Sequence, residues 1–182
     1  RKNTMRIASA LLVAIFATTT TLAEDGKQSG PTHADVKYGE HPLQAVDFWK
    51  AKGESPRPLL VYIHGGGWTK GDKRGKGIGA VLHYAAKGYV CISVNYRLDV
   101  DKKACVEDVK CATRWLRAHA EEYNLDPDRI GAAGNSSGGH LALMLAVCPA
   151  SAGLEGDGPY QEYSSMVQAA HCSSTPIMPG FR

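Results

Sequence analysis

A short run of small and apolar residues at 130–133 is cut off by Gly134-Asn135-Ser136-Ser137-Gly138, and a second apolar run follows at 141–147. Few local folds accept that order. The first run is too short for a helix and suits a buried strand, while the second is long enough to be helical. The five residues between must reverse the chain, with a serine at the apex. In such a bend the residues two before and two after the apex lie nearly against each other, so Gly134 and Gly138 are the side chains that fit. The apex backbone is strained, and its hydroxyl stands clear of the sheet. The spacing Gly-x-Ser-x-Gly between strand and helix is that of a nucleophile elbow. The helix N-terminus behind Ser136 favours developing negative charge. A plain Gly-Ser turn capping a helix would match the same letters.

A second segment narrows the choice. His64-Gly65-Gly66-Gly67-Trp68 follows the apolar strand 59–63. Consecutive glycines after a strand leave backbone N–H groups uncovered, and such groups can hold an oxyanion during acyl transfer. A flexible turn or a phosphate loop would also use glycine. The phosphate pattern Gly-x-x-x-x-Gly-Lys-Ser/Thr is not completed, because Lys76 is followed by Gly77.

These two motifs in this order resemble the α/β-hydrolase superfamily, on the esterase/lipase branch related to hormone-sensitive lipase and the feruloyl-esterase-like (BD-FAE) proteins. The resemblance covers about residues 35–170. It implies an α/β-hydrolase fold, a mostly parallel sheet flanked by helices, and a serine hydrolase of carboxylesterase type. By the family's motifs, Ser136 is the nucleophile and the amides of Gly66, Gly67 and Ser137 form the oxyanion hole. His64, Gly65, Trp68, Gly134, Gly138 and Gly139 support those motifs, and His140 packs near the site without being the base. The implied substrate is a small carboxylic ester, acyl or aryl, with no metal and no organic cofactor. A prolyl-oligopeptidase-like peptidase shares the fold, and a non-catalytic remnant or binding module is the reading from another class.

The rest of the chain agrees with one globular domain after a leader. Residues 1–23 begin with Arg1, Lys2 and Arg6, continue through an apolar stretch at 7–17 and end on small residues. That is the pattern of a secretory signal cleaved near Ala23, and the stretch is too short to span a bilayer comfortably. It implies a secreted or periplasmic protein. Residues 24–34 read as a linker, and 35–182 as the domain. The formal charge of +3 belongs to the leader: without its three basic residues, 18 basic face 18 acidic, so nucleic acid is not implied. Five cysteines are an odd number, and Cys105 and Cys111 point to different sides of one helix, so they are read as buried small hydrophobes.

Strands are expected at 36–38, 44–49, 59–64, 89–96 and 166–172. Helices are expected at 78–87 and 104–123, the latter with Val106, Val109, Ala112, Thr113 and Leu116 on its apolar face and charged residues opposite. Residues 124–129 read as a turn, and Asp108 and Arg114 as solvated or locally paired.

A serine hydroxyl needs a base within hydrogen-bond reach and a carboxylate to orient that base. In this superfamily the acid and then the histidine follow the serine. After Ser136 the chain offers Glu155, Asp157 and Glu162, with His140 and His171. Asp157 and His171 have the right order. However, His171 falls inside a strand-like run and Asp157 lies before it, so neither is assigned to a triad. The expectation is an incomplete domain that lacks its C-terminal strands and leaves a sheet edge uncovered.

Overall fold

A computed structural model describes residues 30–53 and 56–177. The leader expected at 1–23, and most of the linker after it, lie outside the described residues.

Six strands form one sheet in the order β1-β2-β4-β3-β5-β6. They are β1 (His33–Lys37), β2 (Ala45–Trp49), β3 (Arg57–Ile63), β4 (Val90–Val94), β5 (Leu125–Asn135) and β6 (Ala169–Ser173). Strands β3, β4, β5 and β6 pair in parallel, while β1 and β2 add an antiparallel edge. The helices are α1 (Ile78–Ala86), α2 (Lys102–Ala118) and α3 (Ser137–Val147). This is the mostly parallel, helix-flanked sheet of the α/β-hydrolase fold. Among the described residues no helix is long and apolar enough to cross a membrane.

The side-chain period of two splits each central strand between the two faces. Leu59, Val61 and Ile63 of β3 join Ile92, Val94, Ile130 and Ala132 in the larger core, against Val106, Val109 and Leu116 of α2 and Leu141 and Leu145 of α3. Leu60, Cys91 and Ala133 face the other way, against Val81 of α1. The chain changes its direction of travel across the sheet at β4. Right-handed crossovers therefore put α1 on one face and α2 with α3 on the other.

Three expectations are corrected. Residues 124–129 do not form a free turn. Strand β5 starts at Leu125, which pairs with Arg57, and its register shifts before Ile130 meets Leu59. Helix α2 starts at Lys102 because the Asp101 side chain accepts the Lys103 N–H at 2.8 Å, and it stops at Ala118. Its charged side is also not solvent-facing: Asp108, Lys110 and Arg114 are all at most 1% exposed. The partners come from distant sequence. Arg97 binds Asp108, and the loop 149–166 folds over the helix to bring the Glu155 carboxylate to Lys110 and Arg114. Among the described residues β6 is paired on one side only, by β5.

Candidate active site

The site lies at the C-terminal ends of β3 and β5. Strand β5 runs out at Asn135, and α3 starts at Ser137. Between them Ser136 has φ 54° and ψ −122°, a conformation that L-residues rarely adopt. Its amide donates to the Ser173 carbonyl at 2.8 Å, which ties the apex to the end of β6. A Cβ on Gly134 would lie 2.3 Å from the Gly138 carbonyl oxygen, as the spacing of the motif requires. The second glycine is needed for a different reason. A Cβ on Gly138 would lie 2.1 Å from the carbonyl oxygen of Ile63, so the helix start presses on the end of β3. Gly139 is similarly hemmed in by Thr175.

That pressure brings the two motifs together. A Cβ on Gly65 would lie 2.6 Å from the Asn135 carbonyl oxygen and 3.4 Å from Ser136 Cβ. Gly66 and Gly67 then turn away with φ 130° and 64°, and the Gly66 carbonyl accepts the Thr69 and Lys70 amides. The Gly66 and Gly67 amides have no backbone acceptor among the described residues. The Ser137 amide lies in the first helical turn, where no intrahelical acceptor exists. The Gly66 and Gly67 amides thus lack a backbone acceptor and the Ser137 amide lacks an intrahelical one, in the loop that meets the serine and at a helix N-terminus that favours negative charge.

The flanking motif residues shape the surroundings. The His64 ring stacks on Tyr96 at 4.5 Å, and the Tyr96 hydroxyl donates to the His64 carbonyl. Burial holds the His64 imidazole below its ordinary pKa, against the opposing pull of its hydrogen bond with the Gly65 carbonyl. Trp68, at φ 63°, turns its indole edge-on to His140 at 5.5 Å, with the Lys102 ammonium over its face at 5.1 Å. Burial first and the Lys102 charge second keep His140 toward its neutral form. His140 therefore packs one helical turn past the apex, on Trp68.

The two residues left unassigned to a triad are not at the apex. His171 is level with Ala133 in the parallel register, three residues short of Ser136, which is about 10 Å along the strand. Paired residues share a face, so His171 turns to the α1 side. There it lines a groove of about 680 Å³ with Tyr62, Tyr84 and Tyr89. Asp157 is exposed in the loop that starts at the far end of α3, between Gly156, which packs on Glu107, and Gly158, which packs on Cys111. Glu155 is committed to Lys110 and Arg114. No hydrogen bond joins a histidine ring to the Ser136 hydroxyl among the described residues.

The sequence reads residues 68–76 as an exposed basic loop and does not single out Ser93 or Asn95, yet Lys73 is buried behind the glycine loop with both of them, beside Asp72. A signal was present. Ser93 and Asn95 interrupt an apolar strand next to its C-terminal end, where parallel sheets carry their sites.

Comparison with known proteins gives the family and the fold. The BD-FAE family pattern matches residues 47–175. The probable carboxylic ester hydrolase LipM of Mycobacterium tuberculosis is 35% identical over 142 residues, covering 75% of this chain and 32% of LipM. Esterase 2 of Thermogutta terrifontis, solved as phosphorylated by paraoxon, superposes with a TM-score of 0.67 at 31% identity, covering 74% of this chain and 54% of the esterase. A bifunctional GH43-CE protein of Bacteroides eggerthii superposes with a TM-score of 0.74 at 30% identity, over 80% of this chain and 21% of that protein. The chain spans about a third of LipM and about half of the Thermogutta esterase.

Proposed function

Because this chain belongs to the BD-FAE family, we propose that it is a serine hydrolase acting on small carboxylic esters, with Ser136 as nucleophile. The observation that carries this is the close approach of Gly65 to the Asn135 carbonyl and to Ser136 Cβ, which brings the glycine loop against a strained serine and supports reading the Gly66, Gly67 and Ser137 amides as its oxyanion donors. Ser136 Oγ attacks the ester carbonyl carbon, and the carbonyl oxygen gains a charge that the three amides receive. The C–O bond to the alcohol then breaks, and the alcohol leaves with a proton. Water later releases the acid from the acyl-serine. Each donor of this kind is worth roughly 10²–10³ in kcat where it has been removed by mutation. The relatives named as esterases support the substrate class, and the Thermogutta esterase supplies a probe, since paraoxon phosphorylates it.

The proton on Ser136 needs a histidine base, and none of the described residues is hydrogen-bonded to that hydroxyl. The test therefore uses the protein expressed from its complete gene. Paraoxon or a fluorophosphonate should modify Ser136, read by peptide mass spectrometry, and Ser136→Ala should abolish both labelling and p-nitrophenyl ester turnover. Turnover that survives Ser136→Ala would refute the assignment. The position of His171 favours a second reading, a non-catalytic member of the same fold, for residues 24–182 alone. Ester turnover by that segment above its Ser136→Ala control excludes it. The basic and apolar leader supports export, and a mature N-terminus at Glu24 is the expected result of N-terminal sequencing.

A further inference from the structure

Behind the glycine loop is a polar cluster that the proposed reaction does not use, buried at Lys73, Ser93 and Asn95 and exposed at Asp72. Its centre is Asn95, just past β4, which is 5% exposed and bonded at every polar atom. Its amide donates to the Ala45 carbonyl, and its carbonyl accepts the Tyr38 hydroxyl at 2.7 Å. Its side chain acts in two directions. Oδ1 accepts the Lys73 amide at 2.6 Å, and Nδ2 donates to Asp72 Oδ2 at 2.8 Å. The other carboxylate oxygen of Asp72 accepts the Arg74 amide at 2.7 Å.

Lys73 is gripped at its other atoms too. Its carbonyl accepts the Ser93 hydroxyl at 2.6 Å, and its ammonium reaches Asp35 at 2.6 Å and the fully buried Asp47 at 3.6 Å. Residues 72–73 are therefore bolted to the end of β4. One residue upstream, Gly71 lies directly on the glycine loop. A Cβ there would be 2.3 Å from His64 Nδ1 and 2.4 Å from the Gly65 carbonyl oxygen. Gly65 in turn abuts Asn135 and Ser136.

Resting on the hydrolase reading above, we propose that Asn95 and Asp72 are positioning residues for the oxyanion hole. Through Lys73 and Gly71 they hold the Gly65–Gly67 backbone at the distance from Ser136 that the transition state needs. The cluster touches no substrate. Its effect belongs in kcat, because a displaced donor loses a bond made to the oxyanion more than one made to the bound ester.

The hydrogen-bond directions give a specific test. In Asn95→Asp two carboxylates face each other at residues 72 and 95. In Asp72→Asn the amide at residue 72 must choose between Asn95 and the Arg74 N–H. In the double exchange Asp72→Asn/Asn95→Asp every bond is regained with the donor reversed. The residue 95 carboxylate accepts from Lys73 and from the residue 72 amide, while the residue 72 oxygen accepts from Arg74.

The assay uses the protein from its complete gene. It reads kcat and KM on p-nitrophenyl butyrate, the rate of Ser136 phosphorylation by paraoxon, Tm, and deuterium exchange over residues 65–76. Asn95→Asp should lower kcat by roughly 10²-fold, the effect of about 1 Å of misplacement, with KM little changed and exchange at 65–76 raised. The double exchange should return kcat to within roughly 3-fold of the parent, as coupled neighbours do. If Asn95→Asp does not fold, Ser93→Ala removes one bolt and should still lower kcat, and the double exchange still reads recovery. A lower Tm with unchanged kcat, or no recovery in the double exchange, overturns the proposal while the hydrolase reading stands. A parent protein with neither turnover nor phosphorylation overturns both.

Discussion

Gly65→Ala tests the coupling between the two motifs by one methyl group. The new Cβ would sit 2.6 Å from the Asn135 carbonyl oxygen, where ordinary contact begins at 3.4 Å, so 3.4 − 2.6 = 0.8 Å must be found. Both sides are backbone. Asn135 ends β5, paired with β6, and Gly65 leaves β3 with Gly71 pressed behind it, so no side chain can swing aside. Gly65 does not have a positive φ, so alanine brings no intrinsic backbone strain. The loop must move off the elbow by most of that 0.8 Å and take the Gly66 and Gly67 amides with it. About 1 Å of misplacement at a reacting centre costs about 10²-fold, or about 2.7 kcal/mol of transition-state stabilisation. Steady-state kinetics on a p-nitrophenyl ester should show that loss mainly in kcat. Gly79→Ala is the control: it lies in α1 with nothing within 4 Å of the added Cβ, and should leave kcat unchanged and stability up by about 0.5 kcal/mol. A Gly65→Ala protein with kcat/KM within about 3-fold of the parent would refute the rigid coupling of loop and elbow.

Glu155→Ala leaves Lys110 and Arg114 buried without their carboxylate, and should destabilise by about 3–5 kcal/mol in urea melts. The Asp35 carboxyl is held at about 2, first by its hydrogen bond with Lys73 and then by Arg74. Its folded value lies below its unfolded one, so its contribution is present above about pH 4 and lost as pH falls toward 2. Asp35→Asn should remove that part of the pH dependence of unfolding, so an unchanged acid limb would contradict the pairing. Burial pushes the Cys91 thiol up to about 12 and Cys105 up to about 11. Iodoacetamide on the native protein at pH 8 should therefore spare both and reach the half-buried Cys148 and Cys172 first, read by peptide mass spectrometry.

The reach of the sequence followed the range of the interactions. The elbow was legible because it is local. Gly134, Ser136 and Gly138 lie within five residues, and their spacing states a steric demand that the structure meets at 2.3 Å between Gly134 and the Gly138 carbonyl. The parallel sheet was legible because alternating apolar runs have few ways to be buried on two faces. The charged side of α2 was misread, since periodicity cannot show that a loop 40 residues later brings Glu155 to Lys110 and Arg114. Nor could spacing show that Gly138 is small because of Ile63, rather than only because of Gly134.

The sequence by itself determined the strained apex, the glycine loop and the strand–helix order, because each follows from the space and torsions available within a few bonds. Only the tertiary structure decided that Gly65 rests on Ser136, that Asn95 holds residues 72–73, and that His171 faces a groove three residues short of the apex. Those are contacts between segments that meet through strand register and crossover handedness. Residues 65 and 136 are neighbours only once β3 and β5 are paired.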